Sequence, residues 1–296
     1  MTGAARARLL LLGTAVSFGL MAVLARKLAA AHAFTAGQLS VIRFGAGAAF
    51  SLAAFRLGLA RYAPVNRRLL WSRGVSGGIV VVLYFLALAR IPAGEAGMLY
   101  NLFPVVATAL SVPAFGERPT VHLLLALLVA TAGVALVLGG GSLALGVGAG
   151  ELLALGAAFF AAVSAVTIRA MRATDNAATI FLYFCLGGLP VAAPFALDPW
   201  TLAPGPWALA LLMALCAYAA QVFMAEAYGA LTVPEAAVWL QLTPIAQVVI
   251  AVPLLGEVLP AASVAGVLVG VAGVAYGSVM GSRKAPGTVK DAPPGP

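Results

Sequence analysis

Charge is what this sequence most lacks. Only 9% of its 296 residues are Asp, Glu, Lys or Arg, while 63% are apolar. Ordinary globular domains carry about 25% charged residues, and a water-soluble fold with so few could not cover its surface. The chain is therefore read as an integral membrane protein. Cysteine is nearly absent as well. Cys185 and Cys216 both fall inside apolar runs, which argues against a disulfide framework or a thiolate metal site and leaves them as small core residues. The two histidines, His32 and His122, are isolated at the ends of apolar runs. There is no HExxH, no GxSxG, no Walker-type glycine-lysine loop and no pair of intramembrane aspartates. Neither an enzyme nor an ATP-driven pump is expected, and no cofactor or metal. The net charge of +8 and pI near 10.0 come without a basic, aromatic-interleaved patch, so no nucleic-acid partner is expected.

What the chain has is apolar length. A helix needs about 20 apolar residues to cross about 30 Å of hydrocarbon. Ten such runs are present, at approximately 9–29, 38–59, 70–90, 95–114, 121–140, 151–171, 178–197, 207–229, 235–255 and 260–280. The opening MTGAARAR and the apolar run after it have a signal-peptide pattern. The run is long and continues to Arg26 and Lys27, so it is expected to be retained as the first span. With the N-terminus inside, 13 basic residues (Arg73 among them) fall on the inner side and three, Arg26, Lys27 and Arg90, on the outer side. The positive-inside rule then places both termini in the cytoplasm, in agreement with an even number of spans. Residues 282–296 are Pro-rich without an apolar run and read as a disordered cytoplasmic tail.

One sentence of the sequence is written twice. NLFPVVATALSVPAFGE, Asn101 to Glu117, aligns without a gap on QLTPIAQVVIAVPLLGE, Gln241 to Glu257. The offset of 140 holds from Glu95 to Ala135, and RLLLLGTAV in span one parallels ELLALGAAF in span six at an offset of 143. Each half holds five spans. Five is odd, so the second half enters the membrane upside down. The predicted fold is an all-α membrane protein of ten helices in a five-plus-five inverted repeat, residues 1–146 and 147–281, around a central cavity. Inverted repeats of this kind mark secondary transporters, with substrate bound near the midplane between the halves.

The repeated motif indicates where that site sits. Pro104 lies nine residues into span four, about 13 Å deep at 1.5 Å per residue, and Pro244 reaches the same depth from the other side. Proline cannot bond the carbonyl four residues back, so the carbonyls of Tyr100 and Leu240 need another partner at membrane depth. Both prolines are candidate hinges. Asn101 and Gln241 stand just before them, either contacting substrate or bonding a neighbouring helix. Tyr84, Tyr100, Trp239, Phe18 and Met21 fall at similar depth, as an aromatic and thioether wall or as ordinary packing. Arg43 lies about 7 Å into span two, where an intramembrane charge is a candidate anion site or snorkels outward. Glu226 is read as interfacial. Glu117 and Glu257, each after a glycine, are read as structural helix ends. Gly266 and Gly270 form a small-xxx-small stripe, serving the fold or a dimer face.

Ten spans, an inverted repeat and the doubled Pro-x8-Pro-x2-Gly-Glu ending at Glu117 and Glu257 resemble the EamA family of the drug/metabolite transporter superfamily, over essentially residues 9–280. The resemblance implies a basket of ten helices with a cavity lined by spans one, three, four, six, eight and nine. It also implies export of small metabolites across the bacterial inner membrane. Within the family the chain looks most similar to broad-range exporters of aromatic and other neutral amino acids, acting as a monomer or homodimer. Nucleotide-sugar and drug carriers are the alternative. Their phosphate-bearing substrates favour basic cavities, and Arg43 is the single mid-span arginine expected here.

Overall fold

Hydrocarbon offers no water to an unpaired N–H or C=O, so each segment must satisfy its backbone internally. For a chain of apolar runs lacking period-two alternation, that means helices. The computed structural model describes residues 3–88, 90–91, 93–139, 148–256 and 258–280. Glu257 and the tail 282–296 lie outside the described residues, as does the side chain of Glu95.

The helices are α1 (Gly3–Ala30), α2 (Ala36–Arg56), α3 (Arg67–Leu88), α4 (Ala93–Tyr100), α5 (Phe103–Phe115), α6 (Val121–Gly139), α7 (Ala149–Met171), α8 (Ala177–Ala192), α9 (Pro204–Tyr228), α10 (Val233–Leu240), α11 (Leu242–Leu255) and α12 (Ala261–Met280). Among the described residues, nine stretches are long and apolar enough to cross a membrane, including Ala96–Phe115 and Val233–Leu255, which each run through a helix break. Arg67–Leu88 is a tenth long helix. The protein is an all-helical, multi-pass membrane protein.

Local chemistry sets the helix ends. α1 begins at Gly3 rather than near residue 9, because GAARAR contains good helix formers and no stop signal. Thr35 and Gln38 form a reciprocal capping box that starts α2, and Thr232 and Glu235 form another that starts α10. α5 and α11 end on Gly116 and Gly256, both left-handed at φ 68°. Their N–H groups bond back to Val112 and Val252. A residue with a Cβ resists that conformation, which is why the motif repeats glycine there.

The kinks predicted at Pro104 and Pro244 are full breaks. α4 stops at Tyr100, Asn101 and Leu102 turn, and α5 starts at Phe103. Pro104 thus occupies the first turn of a new helix, where its missing N–H would have had no partner anyway. Spans four and nine are each two half-helices.

The packing has the symmetry of the repeat. α1 packs on α9 as α7 packs on α3; α1 packs on α11 as α7 packs on α5; α6 meets α12 and α2 meets α8. Glycine makes the α6–α12 seam possible. A Cβ at Gly273 would lie 2.6 Å from the Ala130 nitrogen, and one at Gly266 would lie 2.7 Å from the Gly133 carbonyl. The Gly266–Gly270 stripe is therefore spent inside the chain. Some contacts depart from the symmetry among the described residues: α10 packs on α5 and on α6, and α11 packs on α6, without comparable contacts between α4 and α11, α4 and α12, or α5 and α12.

Candidate transport site

Two arginines meet in the middle of the bundle. Arg73, two turns into α3, is only 4% exposed. Its guanidinium carbon stands 4.1 Å from the centre of the Phe184 ring, and Nη2 donates to Gln221 Oε1 at 3.3 Å. Arg43, on α2, stands 5.9 Å from the same ring and 5.9 Å from Phe44. The two guanidinium carbons are therefore within about 10 Å of each other. Arg43 lies deep among protein atoms, in electrostatic reach of Tyr100 and Cys185, yet keeps partial accessibility. The Nε atoms of both arginines are buried without a hydrogen-bond partner. Among the described residues neither has a carboxylate partner, since the ion pairs there are Glu117–Arg169 and Glu226–Arg172. At an effective dielectric of about 20, two like charges about 10 Å apart repel by roughly 2 kcal/mol.

Arg73 was counted above as a topology signal beside Arg67 and Arg68. The structure puts it inside the bundle, so Arg43 is not the single intramembrane arginine. The signal was the small-residue run after it. A Cβ at Gly77 would lie 2.6 Å from Arg73 Nη1 and would also strike the Phe184 ring. Glycine there makes room for the cation on the ring, a favourable cation–π arrangement.

An aromatic wall adjoins the arginines. Tyr84 and Tyr100 have ring centroids 5.0 Å apart, and Tyr100 and Phe103 5.5 Å. Tyr100 lies in electrostatic reach of both Arg43 and Arg73. Phe103 carries the wall into the central core, where Phe18 also packs. The remaining sequence candidates go elsewhere. Asn101 turns its amide back onto the Gly97 carbonyl at 2.8 Å. Gln241 is wholly buried, donating to Thr131 Oγ1 at 2.7 Å and leaving its own Oε1 unpartnered. Met21 packs in a separate cluster with Leu24, Phe34 and Met213. Trp239 lines a small cleft with Arg8 and Glu235 at one end of the bundle.

At that same end the two halves are tied together. Glu117 accepts from Arg169 Nε at 3.1 Å through one oxygen, and from the Val233 N–H at 2.8 Å through the other. Arg169 also donates to the Tyr228 carbonyl, and Arg172 pairs with Glu226 at 3.0 Å. Nearby, Asp175 accepts the N–H groups of Val65 and Asn66. By the repeat offsets Arg26 and Glu257 are the counterparts of Arg169 and Glu117.

A family model described as the EamA-like transporter family matches this chain twice, over residues 5–139 and 148–278. The chain belongs to that family. The pseudopaline exporter CntI, from two strains of Pseudomonas aeruginosa, is 30% identical over 165 residues. That match spans about half of each protein: 54% of this chain and 57% of CntI. A crystal structure of a protein 20% identical to this one superposes with a TM-score of 0.81, over 94% of this chain and 98% of that one. At that identity the likeness establishes the fold.

One groove of this EamA-like transporter lies away from the arginines. It measures about 610 Å³, opens between α2, α8 and α9, and is lined by Phe50, Tyr218, Val222, Arg61 and Glu226. Leu57, Leu59 and Leu215 on its walls are exposed. The polar and cationic side chains that could select a solute converge instead on Tyr100, Arg43 and Arg73.

Proposed function

We propose that this EamA-like transporter exports small amino-acid-class metabolites, aromatic and other neutral amino acids among them, across the bacterial inner membrane by alternating access. Its termini lie in the cytoplasm. The observation that carries the reading is the half-buried cluster of Tyr84, Tyr100 and Phe103 beside Arg43 and Arg73, set at a helix break. An arginine suits a carboxylate through two parallel bonds, and an aromatic wall suits an apolar side chain. The relative named as an exporter supports the direction. The half-helices supply the moving parts: α4 and α10 can swing against α5 and α11 at Asn101–Leu102 and at Gln241 without breaking an intact helix.

The test is counterflow in proteoliposomes with labelled phenylalanine, methionine and threonine, compared with a UDP-sugar and a quaternary-ammonium drug. Saturable exchange of the amino acids is expected. Flux of the UDP-sugar or the drug alone, in folded protein, would reassign the substrate.

A further inference from the structure

We propose that Arg43 and Arg73 together form one anion-binding centre whose substrate is a carboxylate-bearing solute with net negative charge, held between the two guanidinium groups beside Tyr100. The proposal rests on the transporter reading above and, within the amino-acid-class metabolites, shifts the preferred substrate from neutral amino acids to those with a second carboxylate.

Three observations converge on it. Both guanidinium groups lie against the Phe184 ring, at 4.1 and 5.9 Å, so one small ligand can touch both. Each keeps a buried Nε with no partner, although buried polar groups are ordinarily paired. No described carboxylate pairs with either. Phe184 and Gln221 help hold the charges, but neither neutralises them. A zwitterionic amino acid brings no net charge to two cations, whereas a solute with two carboxylates cancels both. In a low-dielectric interior that difference selects for the anion. The geometry of Arg73 is also built rather than incidental: Gly77 makes room for it, and Gln221, 8% exposed, fixes one of its amino groups.

The test uses the full-length protein in detergent and reads both ligand-induced thermal stabilisation and equilibrium binding. The probes are N-carboxymethyl-phenylalanine with two carboxylates, phenylalanine, phenylalaninamide with none, and UDP-glucose. The dicarboxylate is expected to bind at least about tenfold more tightly than the amide, the scale of one charge-assisted hydrogen bond. Arg43→Gln and Arg73→Gln should each remove most of that advantage. Arg43→Gln guards against a folding defect in Arg73→Gln, since Arg43 is the less buried of the two. Equal binding of dicarboxylate and amide, or glutamine variants that keep the full advantage, would overturn the anion centre even if phenylalanine is transported. Tight, arginine-dependent binding of UDP-glucose with none of the dicarboxylate would overturn the carboxylate assignment and the amino-acid reading, and would point to phosphate. Arginine-dependent binding of the dicarboxylate without phenylalanine flux would uphold the anion centre and reject only the neutral amino-acid substrate.

Discussion

Glu117 is a small residue-scale device with a large reach. One carboxylate joins α5 to α7 through Arg169 and to the start of α10 through the Val233 N–H. It is 10% exposed and Arg169 is 30% exposed, so the pair is only partly screened by water. Hydrogen bonds to a charged group contribute about 1.5–3 kcal/mol, and removing one partner of a buried pair leaves the other uncompensated. Glu117→Ala is therefore expected to destabilise the protein by about 2 kcal/mol, read as a lower unfolding temperature in detergent. Arg169→Ala should add much less than its single effect when combined with Glu117→Ala, because the two share one interaction. Strict additivity would show that they act separately. Gln241 teaches the opposite lesson. Its sequence position suits a ligand, but the nearest hydroxyl, Thr131, takes its amide.

At the scale of elements, the repeated motif resolves into separate jobs. Pro104 opens α5 and Gly116 closes it in a left-handed turn. Gly116→Ala is expected to cost about 1–2 kcal/mol, the usual penalty for a Cβ in that region, visible as a reduced unfolding temperature. Gly229, whose backbone is right-handed, should not show that backbone penalty. The breaks at Asn101–Leu102 and Gln241 carry the hinge idea. Pro104→Ala and Pro244→Ala should slow counterflow severalfold while leaving the protein folded, since a residue in the first turn can lose proline without losing a hydrogen bond. Unchanged initial rates in both variants would reject bending at these points. The seam of α6 and α12 is the rigid counterpart. Gly133, Gly266 and Gly273 bring two backbones into contact there, and Gly133→Leu should abolish folding rather than tune rate.

At the scale of the whole molecule, the inverted repeat pairs the main helix interfaces, and among the described residues the most extensive contact it leaves unpaired is that between α5 and α10. It closes the end of the bundle where Glu117, Arg169, Arg172 and Glu226 meet. That end also gathers Arg67, Arg68 and Arg118, basic residues on which the proposed cytoplasmic placement of both termini rests. Reporter fusions at residue 3 and after residue 280 should both score as cytoplasmic. An external signal from either would invert the assignment of inside and outside. Thiol-reactive probes too polar to cross the membrane should reach a cysteine placed at Tyr84 from the opposite, outer side.

Much of this was legible in the residues. Scarcity of charge decided the membrane, apolar length decided the helices, and the doubled motif decided the repeat, because each depends on one-dimensional spacing that hydrocarbon enforces on any chain. The helix breaks were half legible: proline marked their depth, but whether the backbone bends or stops depends on the neighbours available to the freed groups. The anion centre was not legible. Arg43 stood out because it sits alone in an apolar run, whereas Arg73 follows Arg67 and Arg68 and resembles one more loop charge. Only the tertiary structure, by laying Phe184 of one half across α2 and α3 of the other, decided that both arginines lie against the same ring. That decision belongs to packing, since a guanidinium remains inside a helical bundle only where groups such as the Phe184 ring and the Gln221 amide replace the water it has lost.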